Sequence, residues 1–127
     1  MLNIKKIHHV AIIVSDYEKS KNFYTNILGF KILKETYGEE RKSYKLDLKI
    51  NEVYQIELFS FPPKRVNNPE ARGLRHLAFE VDDIEDERKK LLSYNIECEE
   101  IRIDEITGKK FTFFKDPDGL PLELYEY

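Results

Sequence analysis

Two apolar runs of the same design punctuate the chain, HVAIIVSD at 9–16 and HLAFEVDD at 76–83. Each reads as a strand of four to eight residues that stops at an acidic helix cap. The first is bounded by Ser15-Asp16 and leads into a predicted helix over about 16–28, where Phe23, Ile27 and the pair Tyr24, Leu28 recur at i,i+4. Gly29 follows, in the place a left-handed helix terminator takes. Strands are then predicted over about 30–37, 41–49 and 54–61, with Gly38 and Asn51-Glu52 at the turns. The order repeats after PPKRVNNP at 62–69. A strand from His76 to Val81 meets Asp82-Asp83, a helix runs over about 84–94, and Asn95 closes it. Strands over about 97–103, 110–115 and 121–126 complete the second set, with turns at Thr107-Gly108 and at DPDG, 116–119. Each half is therefore β-α-β-β-β, and the expected fold is α+β, two tandem modules in one mostly antiparallel, cupped sheet with helices on its outer face. Module one covers about 1–61, a linker about 62–74 and module two about 75–127, together one domain.

The repeat is visible residue by residue. Aligned on His9 and His76, four of the first eight positions are identical: His, Ala, Val and Asp. Self-similarity at half the chain length marks a duplicated module. Strand alternation puts His9, Ala11 and Ile13 on one face and Val10, Ile12 and Val14 on the other. His76, Ala78 and Glu80 oppose Leu77, Phe79 and Val81 in the same way. The larger aliphatic rows suit the helices, so both histidines are expected on the helix-free face. Glu57, in QIELF, and Glu123, in PLELY, stand 66 residues apart against 67 for the histidines. Two modules that each supply one imidazole and one carboxylate can surround one divalent ion. Carboxylates buried without a cation are costly, which strengthens that reading. The bland alternatives are a hydrogen-bonded core histidine and a glutamate paired with a lysine at a sheet edge.

Composition narrows the classes. The chain of 127 residues is 41% hydrophobic and 35% charged with a net charge of −3, which suits a folded globular protein. No basic stripe of the kind that binds phosphate backbones is present, so no nucleic-acid partner is expected. The longest apolar run, 10–14, is far too short to span a bilayer, and no apolar signal segment follows the two N-terminal lysines. One cysteine, Cys98, excludes an internal disulfide and fits the cytoplasm; it reads as a small buried hydrophobe. His8 is expected on the surface or behind His9. Glu80 is too far from His76 to share an ion and would line a pocket. Lys109 and Lys110 form a solvated turn or, as the sharper option, a clamp on an anionic substrate. The acidic run 82–87 is a dipole-stabilised first helical turn and not a metal loop.

With these residues placed, the chain resembles the vicinal oxygen chelate superfamily, the glyoxalase, bleomycin-resistance and extradiol-dioxygenase group. HHVAIIVSDYEKSKNFYTNILGF, IELFSF, GLRHLAFEVDDI and TGKKFTFFKDPDGLPLELYE carry the resemblance over nearly the whole length, most of all to small bacterial lactoylglutathione lyase-like proteins. It implies ligand positions at His9, Glu57, His76 and Glu123 for one divalent ion. Ni²⁺ or Zn²⁺ is the first expectation, with Co²⁺, Mn²⁺ or Fe²⁺ as alternatives. Glu57 as a fourth ligand points to the glyoxalase side, since dioxygenase and fosfomycin-resistance relatives typically keep three. Two places that serve glutathione in bacterial glyoxalase I hold Ile13 and Phe61 here, so the metal site is retained and the glutathione grip is not. The implied activity is a metal-dependent glyoxalase I-type lyase or isomerase on a small-molecule substrate. Glu123 or Glu57 would move a proton next to a carbonyl, and the ion would stabilise the enediolate. The alternatives are a metal-dependent dioxygenase, a small-molecule resistance enzyme, and a ligand-sequestering protein of the bleomycin-resistance type. The linker allows one site within the chain or exchange across a homodimer.

Overall fold

The structure is a computed structural model that describes residues 1, 3, 5, 7–40, 42–60 and 74–127. Phe61 and, apart from Leu74, the predicted linker lie outside the described residues. The chain divides into two compact units, Met1–Lys64 and Arg65–Tyr127. Unit one runs β1 (His9–Val14), α1 (Tyr17–Asn22), β2 (Lys31–Gly38), β3 (Ser43–Lys49) and β4 (Gln55–Ser60). Unit two runs β5 (Leu77–Val81), α2 (Ile84–Ser93), β6 (Arg102–Ile103), β7 (Lys110–Lys115) and β8 (Pro121–Glu126). Each forms a four-stranded mixed sheet, β1-β4-β3-β2 and β5-β8-β7-β6. The first strand pairs parallel with the last and the remaining neighbours are antiparallel. The predicted α+β class and the β-α-β-β-β order of each half therefore hold.

Alternation decides the faces. In unit one Ile12 and Val14 of β1, Ile56 and Leu58 of β4, and Leu46 and Leu48 of β3 are buried on one face, with Leu46 opposite Leu58 and Leu48 opposite Ile56. Helix α1 covers this face: Tyr17 stacks on Tyr44 of β3 at 4.2 Å with the rings 10° from parallel. In unit two Leu122 and Leu124 of β8 and Phe114 of β7 are the equivalent buried row. The α2 N-terminus docks on that side, where the Ile84 N–H donates to Glu126 Oε2 at 2.9 Å. A one-residue slip of β3 and β4 would turn Leu46, Leu48, Ile56 and Leu58 outward. At roughly 1.5–3 kcal/mol per aliphatic side chain, the loss would rival the stability of a whole domain.

Both helices start as their caps predict. Asp16 Oδ1 accepts from the Lys19 N–H and Asp83 Oδ1 from the Asp86 N–H, each at 3.1 Å. Helix α2 ends with Asn95 at φ +60, while the Ile96 N–H reaches back to the Leu91 carbonyl. The predicted helix over 16–28 is not a single α-helix. Phe23–Ile27 form a π-helical turn, with the Leu28 N–H bonded to the Phe23 carbonyl and the Thr25 hydroxyl bonded to the Lys21 carbonyl. An i−5 bond then replaces the regular i−4 partner. The predicted strand over 97–103 also contracts, to Arg102–Ile103 and a lone bridge from Cys98 to Phe114. At Glu99 the N–H keeps a ladder bond to the Phe113 carbonyl at 2.9 Å, but side chains have taken the residue's own carbonyl. Its carbonyl accepts from Arg88 Nε and the Thr112 hydroxyl, at 2.8 and 2.7 Å.

Beside α1, Glu35 of β2 accepts from the Tyr17 hydroxyl and pairs with Lys21 Nζ at 2.7 Å. The Lys21 ammonium first, then the Tyr17 hydrogen bond, lower the Glu35 pKa below its ordinary value. A depressed carboxyl pKa stabilises the fold above the unfolded value, and that contribution fades as pH falls through the folded value. Glu35 is partly solvated, so the effect is small. Glu35→Gln is expected to lower stability by about 0.5–1 kcal/mol near neutral pH. The difference should shrink as pH falls below the ordinary carboxylate range in urea unfolding curves; a pH-independent difference would contradict the ion-pair account.

Candidate metal centre

Each unit places one histidine against one glutamate on its helix-free face. In unit one His9 Nε2 lies 3.2 Å from Glu57 Oε2. In unit two His76 Nε2 lies 3.1 Å from Glu123 Oε2. The same register produces both pairs. Ala11 stands opposite Glu57 across the parallel β1–β4 ladder, and Ala78 stands opposite Glu123 across β5–β8. The histidine precedes the alanine by two residues, so it meets the glutamate diagonally on one face. A methyl group at the directly opposed position leaves the glutamate free to lean toward the imidazole.

The donor set and its spacing suit a divalent ion. Metal–nitrogen and metal–oxygen bonds of about 2.0–2.2 Å put neighbouring ligand atoms of one ion about 3 Å apart, the separation seen in each pair. Both glutamate side chains are only 11–12% exposed and both histidines about a third, so the carboxylates sit low and the imidazoles near the rim. His9 Nδ1 contacts His8 Nδ1 at 2.9 Å. One of these two nitrogens carries the proton, which can leave His9 Nε2 to ligate. His8 thus backs His9.

Around this shared frame the units differ. Asp47 of β3 stands opposite Glu57, and Lys45 Nζ lies 3.4 Å from Glu57 Oε1 and 3.6 Å from Asp47 Oδ1. The lysine partner that the sequence left open for a glutamate is present in unit one. In unit two Phe113 of β7 takes the place opposite Glu123, and its ring meets His76 edge-on at 5.3 Å. Burial raises the Glu123 pKa above its ordinary value; Asp104 adds to this, and His76 and Arg102 oppose it. A cleft of about 480 Å³ beside Glu123 is lined by Arg102, Ile103, Asp104, Glu105 and Phe111. Tyr125, on the same face, donates to Asp104 Oδ2 at 3.1 Å and so ties down the turn that edges the cleft.

Sequence reasoning missed Lys45, Asp47, Arg102 and Asp104. The first two sit two residues apart on a strand, but only the β3–β4 register shows that they face Glu57. Of the predicted anion clamp, Lys110 turns to the helix side, 2.7 Å from Glu85, and Lys109 covers the Tyr127 ring at 5.2 Å. Glu80 is exposed opposite Tyr125. Asp83, Glu85 and Glu126 also gather, but they serve the α2 cap and the Lys110 ion pair, in line with the non-metal reading of 82–87. Cys98 is half-buried against Thr112.

The family model of the Glyoxalase/Bleomycin resistance protein/Dioxygenase superfamily matches residues 6–124. The chain belongs to this superfamily. Its members are often metal-dependent enzymes and typically use a divalent metal. YwkD of Bacillus subtilis (strain 168) is 62% identical over 97% of this chain and 98% of its own length. The crystal structure of a glyoxalase family protein from Enterococcus faecalis superposes with a TM-score of 0.90 at 50% identity, covering 98% of this chain and all of that one. The metallothiol transferase FosB of Staphylococcus saprophyticus is 34% identical over 96% of this chain and 77% of its own length. Among the described residues of this superfamily member, no helix is long and apolar enough to cross a membrane.

Because burial raises the Glu123 pKa, its ionised form destabilises the metal-free fold above that value. In chelator at neutral pH, Glu123→Gln is expected to raise the thermal midpoint by about 2–4 °C. A fall instead would mean that the His76–Glu123 pair stabilises the fold more than burial of the charge destabilises it.

Proposed function

We propose that the protein is a metal-dependent lyase or isomerase of the glyoxalase I type, with one divalent ion held by His9, Glu57, His76 and Glu123. The observation that carries this reading is the recurrence of one His–Glu pair, at 3.2 and 3.1 Å, in the same register of both units. Four such ligands leave positions open on a five- or six-coordinate ion, as a catalytic site requires. A bound divalent ion supplies Lewis-acid stabilisation of the oxyanion that develops when a proton leaves the carbon beside a carbonyl. Glu123 takes that proton and returns it to the neighbouring carbon. Its place beside the cleft lined by Arg102, Ile103, Asp104, Glu105 and Phe111, where a small molecule can reach it, favours the role. Glu57 has the Lys45 ammonium 3.4 Å from its Oε1, a cation already engaging the carboxylate, which suits a ligand more than a base. His9 and His76 would hold the ion beside the two carboxylates. The substrate is a small molecule with a carbonyl and an adjacent hydroxyl. Ile13 stands where bacterial glyoxalase I has a glutathione-binding arginine, so a thiol other than glutathione, or none, fits better.

The similarity to FosB supports a second reading, metal-assisted transfer of a thiol to a small toxic molecule. A substrate mass that gains one thiol favours this reading, and exchange of a substrate C–H for solvent deuterium favours isomerisation.

Protein purified without chelator is expected to hold about one divalent ion per pair of half-sites by elemental analysis, and the His9→Ala/Glu123→Ala double variant none. Glu123→Gln should keep the ion and lose at least about a hundredfold in turnover. Failure of the wild type to retain Ni²⁺, Zn²⁺, Mn²⁺ or Fe²⁺ after reconstitution would refute the metal reading.

A further inference from the structure

We propose that Lys45 is a built-in competitor for the carboxylate of Glu57, so that it sets the affinity of the metal centre and makes Glu57 the readily detached ligand. The inference rests on the metal reading given above. Three strands bring the groups together. Asp47 and Glu57 are direct cross-strand partners, and like charges in that relation repel. Lys45, two residues before Asp47 on the same face, places its ammonium 3.6 Å from Asp47 Oδ1 and 3.4 Å from Glu57 Oε1. The ammonium also lies 5.8 Å from the centre of the Phe59 ring, the residue opposite Lys45. Glu57 Oε2 meanwhile faces His9 Nε2. One carboxylate thus has a lysine on one oxygen and a ligating imidazole beside the other.

The equivalent of this arrangement is absent from unit two, where the aligned β7 positions are Phe111 and Phe113. The pairing Ala11–Glu57–Asp47 corresponds to Ala78–Glu123–Phe113, and Phe59–Lys45 to Tyr125–Phe111. Glu57 thus has a protein cation in direct contact, ready to receive it when it leaves an ion. Glu123 has Phe111 and Phe113 in the corresponding β7 places, and Arg102, which lines the cleft beside it, acts from β6. Lys45 acts through Glu57 and touches no reacting atom, so it is a positioning residue.

The test is a double-mutant cycle read by Zn²⁺ affinity, with Zn²⁺ alone competed against a chromogenic chelator. Lys45→Met should bind Zn²⁺ about tenfold more tightly than wild type, the scale on which neighbours of metal ligands act. Lys45→Arg, which keeps the cation, should stay near wild type. In a Glu57→Gln background, Lys45→Met should change affinity by less than about twofold, because the competed carboxylate is gone. Should Lys45→Met fail to fold, Asp47→Asn/Lys45→Met against Asp47→Asn removes the like-charge clash and asks the same question. Unchanged or weaker binding in both comparisons overturns the proposal. So does a tenfold gain that persists with Gln at 57, which would mark a general field effect. If the wild type binds no Zn²⁺, the metal reading itself falls; if it binds and the cycle shows no coupling, only the role of Lys45 falls.

Discussion

The parallel pairing of each unit's first strand with its last is the constraint on which the rest depends. It places a histidine and a glutamate, 48 residues apart in unit one and 47 in unit two by position, on one face and within hydrogen-bonding distance. A parallel pair cannot be closed by a tight turn, so the helix and the two intervening strands are the connection that makes it possible. The leucine-rich face buried under the helix then locks the register. A one-residue slip of β1 against β4 that separated His9 from Glu57 would also turn Ile12 and Val14 of β1, or Ile56 and Leu58 of β4, out of the core.

Duplication supplies the same His–Glu frame twice and leaves its surroundings free to diverge. In unit one the positions around Glu57 carry Lys45 and Asp47, a charged setting. In unit two the cross-strand positions beside Glu123 carry Phe111 and Phe113, and the charged groups Arg102 and Asp104 lie farther out along the cleft. Two carboxylates of equivalent register thereby acquire different surroundings. One is held by a protein cation, and the other has its pKa raised by burial. Environments that separate two similar groups in this way are how a protein can give them different chemistry.

Much of this was legible in the chain. Element order, the caps at Asp16 and Asp83, the terminators Gly29 and Asn95, and the face on which His9 and His76 lie all follow from local rules of period, capping and backbone freedom. Local rules also failed in recognisable places. The π-helical turn at Phe23–Ile27 depends on where the Thr25 hydroxyl and the Leu28 N–H find acceptors, and no periodicity of apolar residues reports that. The loss of most of the strand over 97–103 depends on Arg88, a residue of α2, taking the Glu99 carbonyl.

By itself the sequence determined the family, the repeated β-α-β-β-β order and the four ligand candidates. These rest on residue identity and on alternation along one strand, both of which are local. Only the tertiary structure decided that Lys45 and Asp47 face Glu57, that Phe113 faces His76, and that Lys110 turns away to the helix. Those relations are set by register between strands and by packing of helix on sheet. A side chain's cross-strand neighbour is a property of two segments and their alignment, and neither segment alone encodes it.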